Sequence, residues 1–224
     1  MKGVGAMVDR AHTVGRVVVA SVACLVGLGV LAFLAPLSLA TAAGLQGKFV
    51  ELKEPSLHVR GRVKLIEFAD FYCPHCHMFE QAVLPILEKE FGDRLEVNLV
   101  GFPIIPGKLP MAFEMYEQAK VMGKGPEMKR VLFRTIHKDR VQIFDRVIRE
   151  QVIREVGLDP VAFEAGLASG KPARAVDEGK KWGNRVNVQS TPTVVLDGHI
   201  KVEGLDPENL KTVIRSILDS ETKK

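Results

Sequence analysis

Two cysteines separated by two residues sit where a strand-like run gives way to a helix-like one, and this constrains the chain more than any other feature. Val63-Lys64-Leu65-Ile66-Glu67-Phe68 is β-branched and aliphatic and reads as a strand. Asp70-Phe71-Tyr72 leads from it into Cys73-Pro74-His75-Cys76. Beyond that point Phe79, Val83, Ile86 or Leu87, and Phe91 recur at helical spacing. Pro74 suits the first turn of such a helix, where its missing N–H costs nothing, and Pro85 should kink it midway. A disulfide across two residues closes a tiny loop and removes little chain entropy, so it is a poor structural staple. The pair is there for its chemistry.

At that junction the Cys73 sulfur is expected at the exposed tip of the helix, beside unpaired N–H groups that stabilise an anion together with the helix dipole. The thiolate is the reactive form of cysteine. A protonated His75 adds positive charge in the same place. A stable thiolate favours the reduced form, so the oxidised protein tends to give its disulfide away. Cys73 is then the sulfur that attacks and is attacked, and Cys76, one turn in and buried, resolves the mixed disulfide. Two other readings use the same residues. Cys73-Pro74-His75-Cys76-His77 satisfies C-x-x-C-H, the attachment motif of a c-type haem electron carrier. A zinc site would need a second ligand pair, and the sequence holds no other C-x-x-C and no H-x-x-x-H. His77 reads as an exposed helix residue.

The N-terminus has the order of a targeting segment. Lys2, Arg10 and Arg16 precede an uncharged run from Val17 to Leu34, followed by Pro36, Ser38 and Ala40-Thr41-Ala42-Ala43. Basic, apolar, then small residues in an A-x-A pattern describe a secretory signal peptide, here with cleavage expected after Ala42. The apolar run also meets the lower limit for an uncleaved membrane anchor. Either way the basic residues stay inside and the body lies outside the cytoplasm, in the periplasm or an equivalent compartment. The chain carries +4 overall, and residues 43–224 hold 28 of its 31 basic and 26 of its 27 acidic residues. That near balance, without basic runs interleaved with aromatics, excludes a nucleic-acid surface.

Lys48 to Leu52 is a possible further strand, and Arg94 to Val100 alternates as a strand does. Helical patterns follow at Met111–Met122, Glu127–His137, Gln142–Val156, Asp159–Leu167 and Ala173–Arg185, interrupted at Gly123-Lys124-Gly125-Pro126 and Gly157. Thr193–Leu196 and Ile200–Glu203 flank Asp197-Gly198, a hairpin turn signal. Pro207–Leu218 is a terminal amphipathic helix. A parallel strand–helix–strand start with an antiparallel hairpin end predicts an α/β fold, a mixed sheet flanked by helices. A helical insertion at about 108–188 separates the halves.

With these motifs in view, Phe71-Tyr72-Cys73-Pro74-His75-Cys76 after Leu65-Ile66-Glu67-Phe68, and Thr191-Pro192-Thr193-Val194-Val195-Leu196-Asp197-Gly198 downstream, resemble the DsbA family of periplasmic dithiol oxidases. The likeness runs from residue 48 to residue 218. It implies a thioredoxin fold with an inserted helical domain over residues 43–224, thiol–disulfide oxidoreductase activity and no cofactor. It implies reduced exported proteins as substrates and a membrane redox partner for reoxidation. Pro192 matches the family's cis-proline, at the one bond type where cis costs little. Glu67 matches a buried acid that would accept a proton from Cys76, with a solvent-facing strand residue as the alternative. Glu80 matches a glutamate near the site, with a solvated helix carboxylate as the alternative. The chain departs from the pattern at Thr191, where the oxidases commonly have valine and the disulfide isomerases threonine. Isomerase or reductase action therefore stays open as an alternative. Residues 43–62 are too few for the separate dimerisation domain of the isomerases, which favours a monomer acting as an oxidase.

Overall fold

A computed structural model describes residues 44–105, 110–141, 143 and 145–221. The expected signal or anchor at 1–42 lies outside them, and no helix of the described residues is long and apolar enough to cross a membrane. The strands are β1 (Phe49–Glu51), β2 (Val63–Ala69), β3 (Leu95–Gly101), β4 (Thr193–Leu196) and β5 (Ile200–Val202). The α-helices are α1 (Pro74–Met78), α2 (Leu84–Phe91), α3 (Met111–Val121), α4 (Gly125–His137), α5 (Arg146–Glu155), α6 (Pro160–Ala168), α7 (Lys171–Arg185) and α8 (Pro207–Glu221). The five strands form one mixed sheet in the order β1-β5-β4-β2-β3. β2 pairs parallel with β3 and antiparallel with β4, as the strand–helix–strand start and hairpin end predict. Asp197 and Gly198 both take positive φ between β4 and β5, the backbone a tight hairpin turn requires.

Alternation along β2 sorts its side chains onto two faces. Val63 and Leu65 join Leu84, Leu87 and Phe91 of α2 and Leu210, Val213, Ile214 and Ile217 of α8. Ile66 and Phe68 join Phe102, Val186 and Val195 on the other face, with Trp182 of α7 packed against them. Close approach of α7 to β3 depends on Gly179, where a Cβ would sit 2.8 Å from Val100. Helices α3–α7 form the insertion, built around Phe113, Met115, Leu132, Phe133 and Phe163. Ala69, Phe71, Cys73 and Cys76 belong to that same cluster, so the cysteines sit on the seam between sheet and insertion.

Local chemistry moves some expected boundaries. Pro85 is accommodated by a π-helical turn, Phe79–Val83, in which the Leu84 N–H reaches the Phe79 carbonyl five residues back. Widening the helix there relieves the clash that Pro85 would otherwise make with the preceding turn. Gly125-Pro126 opens α4 rather than breaking the chain before it, because proline fits a first turn. Helix α5 begins only at Arg146, since Asp145 caps it by accepting from the Val147 and Ile148 N–H groups.

Candidate active site

The site forms where the C-terminal end of β2 meets the N-terminal end of β4. Phe68 lies opposite Thr193, so the loop that follows β2 and the residues that precede β4 are brought together. The first carries Cys73 and the second Thr191-Pro192, joined by a cis peptide bond.

Cys73 is the N-cap of α1, and Pro74 occupies its first turn. Both cysteines are unbridged thiols. Cys73 is only 5% exposed, which corrects the expectation of an exposed tip. Its N–H donates to the Asp70 carbonyl at 3.0 Å, and its Sγ donates to the Thr191 carbonyl at 3.4 Å. Pro74 and His75 are the exposed members of the tetrapeptide. Cys76 is wholly buried, as expected, and accepts from the Asp70 N–H at 3.4 Å. Burial pushes the Cys76 thiol pKa well up, partly opposed by the Asp70 amide and the Thr191 hydroxyl.

Glu67 shares the face of β2 that lies against the active-site helix, and it is fully buried rather than solvent-facing. Neither of its oxygens has a hydrogen bond of good geometry, although the Glu80 carboxyl lies close enough to share a proton. Burial, then Glu80, raises the Glu67 pKa well above the ordinary carboxylate range. Glu80 is itself nearly buried, and its carboxylate pairs with Lys129 of α4 at 2.7 Å. Thr191 Oγ1 is buried near the Cys76 sulfur without a hydrogen bond of good geometry.

Sequence reasoning missed three contributors. Lys129 carried a signal: Lys129, Leu132, Phe133 and Ile136 are spaced as one apolar stripe, with the lysine in a core-facing position. Asp70 is an acid inside an otherwise apolar run. His137 carried none. Its Nε2 donates to the Phe71 carbonyl at 2.9 Å, and its ring stacks on His77 with centroids 4.6 Å apart and planes 7° apart. His77 is therefore half-buried, not exposed. Burial, then His137 and Lys138, lowers its pKa. A haem at C-x-x-C-H needs both sulfurs and the histidine to face one opening, and here Cys76 is enclosed while the His77 ring lies flat on His137.

An open apolar groove of about 290 Å³ runs between the active-site helix and Pro192, at the lower end of ligand-site sizes. His75, Met78, Phe79, Ala82, Val83, Pro192 and Leu205 line it.

The family model for the DSBA-like thioredoxin domain matches residues 64–215, which contain every one of these groups. The chain belongs to that family. Its relatives include the thiol:disulfide interchange protein DsbA of Pseudomonas aeruginosa, 24% identical over 158 residues covering 70% of this chain and 74% of that one. DsbA of Burkholderia cepacia is 25% identical over 178 residues, covering 79% and 83%. Among solved structures, DsbA of Xylella fastidiosa superposes with a TM-score of 0.63 at 19% identity, covering 79% of this chain and 96% of that one. DsbA of Proteus mirabilis, in complex with a non-covalently bound peptide, superposes with a TM-score of 0.59 at 19% identity, covering 80% and 96%. The fold is the DsbA-type thioredoxin fold, and the protein is a thiol–disulfide oxidoreductase.

Proposed function

We propose that this protein is a dithiol oxidase that introduces disulfides into exported proteins through Cys73 and Cys76. The observation that carries the reading is the arrangement of two sulfurs, one at the start of the active-site helix against the Thr191 carbonyl and one enclosed behind it near the buried Glu67 carboxyl. A substrate thiolate attacks the Cys73 sulfur of the oxidised pair. The Cys73–Cys76 bond breaks, its electron pair passes to Cys76, and a Cys73–substrate disulfide forms. Cys76 takes a proton from Glu67, whose burial and neighbouring Glu80 raise its pKa and so favour its protonated form. A second substrate thiolate then attacks the substrate sulfur of the mixed disulfide and expels Cys73 as a thiolate. The substrate has lost two electrons and the pair has gained them.

The groove along Met78, Phe79, Ala82, Val83, Pro192 and Leu205 suits an extended peptide with apolar side chains around its cysteine. The peptide complex of the Proteus mirabilis relative supports this. Residues 1–42 serve as an export signal or anchor, placing a monomeric domain of residues 43–224 outside the cytoplasm, where disulfides persist. A membrane redox partner reoxidises the pair.

The test is the Cys76→Ser variant mixed with a reduced, unfolded protein. A stable adduct through Cys73 is expected, whereas wild type with its disulfide intact should oxidise the same substrate to completion. Lack of an adduct would refute the roles of the two cysteines. Wild type that repairs scrambled disulfides but leaves reduced substrate unoxidised would assign it to the isomerases instead.

A further inference from the structure

Asp70 touches both cysteines and the loop beside them. Its carbonyl accepts from the Cys73 N–H at 3.0 Å, and its own N–H donates to the Cys76 sulfur at 3.4 Å. Its carboxylate belongs to a residue only 1% exposed. One oxygen accepts from the Tyr72 N–H at 2.8 Å, the other from the Ile104 and Ile105 N–H groups at 2.8 and 2.9 Å. Three amide donors replace the water that a buried carboxylate has lost. A neutral amide cannot do the same, because its NH₂ group is a donor and would meet donors. The side chain is thus fastened to the segment after β3, and its own backbone is held in place between the two cysteines.

We infer that Asp70 is a positioning residue for disulfide exchange: its clamped side chain holds its own N–H against Cys76, so that this sulfur can leave and return as an anion. The inference rests on the assignment of Cys76 as the resolving sulfur. When an incoming thiolate bonds to Cys73 and breaks the Cys73–Cys76 bond, the electron pair and negative charge arrive on Cys76. In the reverse step the Cys76 thiolate re-forms its bond to Cys73 and expels the incoming sulfur with the pair. The Asp70 N–H faces the charged sulfur in both directions, and an amide donor stabilises an anion more than a neutral thiol.

Glutathione reports both steps. The oxidised full-length protein is mixed with reduced glutathione, quenched in acid and separated by chromatography. This yields the rate of mixed-disulfide formation and the rate at which Cys76 expels glutathione. Asp70→Asn and Asp70→Ala are expected to slow expulsion about tenfold, the scale of one hydrogen bond to a charged group. Alkylation of Cys73 by iodoacetamide in the reduced protein should keep its wild-type rate. Ile105→Pro leaves Asp70 in place but deletes one donor to its carboxylate, and should slow expulsion by a smaller factor. Asp159→Ala removes a cap on α6, where Asp159 accepts from the Ala162 N–H at 2.8 Å, and should lower stability without changing either rate. The inference is overturned if expulsion in the Asp70 variants matches wild type, or falls only as far as in Asp159→Ala. If glutathione leaves wild type no faster than it leaves Cys76→Ser, the assignment of Cys76 fails first and the inference with it.

Discussion

The Cys73 thiol donates to the Thr191 carbonyl at 3.4 Å, across 118 residues of sequence. The contact closes the site from the side of β4 and shelters the sulfur expected to react first. Serine at this position keeps a donor of similar geometry. Cys73→Ser is therefore expected to abolish thiol–disulfide exchange while changing stability by no more than about 1 kcal/mol, the scale of one neutral hydrogen bond. Urea unfolding beside an insulin-reduction assay reads both. Retained exchange would remove Cys73 from the mechanism.

Glu67 links the site to pH. Its folded pKa is raised by burial and by Glu80, whereas in the unfolded chain it titrates near the ordinary carboxylate value. Below that value the group is protonated in both states and costs nothing. As pH rises past it, the unfolded chain ionises and the folded protein keeps its proton, so folded stability falls. Glu67→Gln is expected to match wild type near pH 4, to exceed it in stability at pH 7, and to exchange disulfides more slowly. Urea midpoints at the two pH values test this, and an advantage equal at both would contradict it.

The His77–His137 stack has the opposite proton balance. Burial, His137 and Lys138 favour neutral His77 in the folded state, with Glu80 acting against them. The unfolded chain binds more protons below the ordinary histidine pKa, so the folded state loses stability as pH falls through that value toward the lowered one. His77→Phe keeps a flat ring on His137 without a proton to bind. It should weaken the difference in melting temperature between pH 5 and pH 7, and an unchanged difference would exclude His77 as a source.

Phe71 fastens the active-site loop to the insertion. Its ring is fully buried and its centroid lies 4.9 Å from Phe133, 5.4 Å from Phe113 and 5.7 Å from Tyr116. Phe71→Ala is expected to cost about 3–5 kcal/mol, the range for a buried aromatic. Denaturant unfolding measures the loss, and a change below about 1 kcal/mol would show that the loop is held chiefly by the carboxylate of Asp70 and the ring of His137.

Short-range chemistry made much of this molecule readable from its residues. β2 follows from a β-branched run, α1 from a proline in a first turn, and the β4–β5 turn from Asp197-Gly198, because backbone preference and side-chain period act over a few positions. The redox pair and the residues before β4 were legible as motifs. What needed the tertiary structure were relationships between segments far apart in the chain. Cys73 is sheltered because β4 delivers Thr191 to it. Glu80 has an ion-pair partner because the insertion folds Lys129 back onto the active-site helix. Asp70 is satisfied because the segment after β3 passes its carboxylate, and His77 is half-covered because α4 ends with His137 against it. Each depends on how helices close over a sheet. That is settled by the joint burial of apolar surface from many segments, which no local pattern specifies.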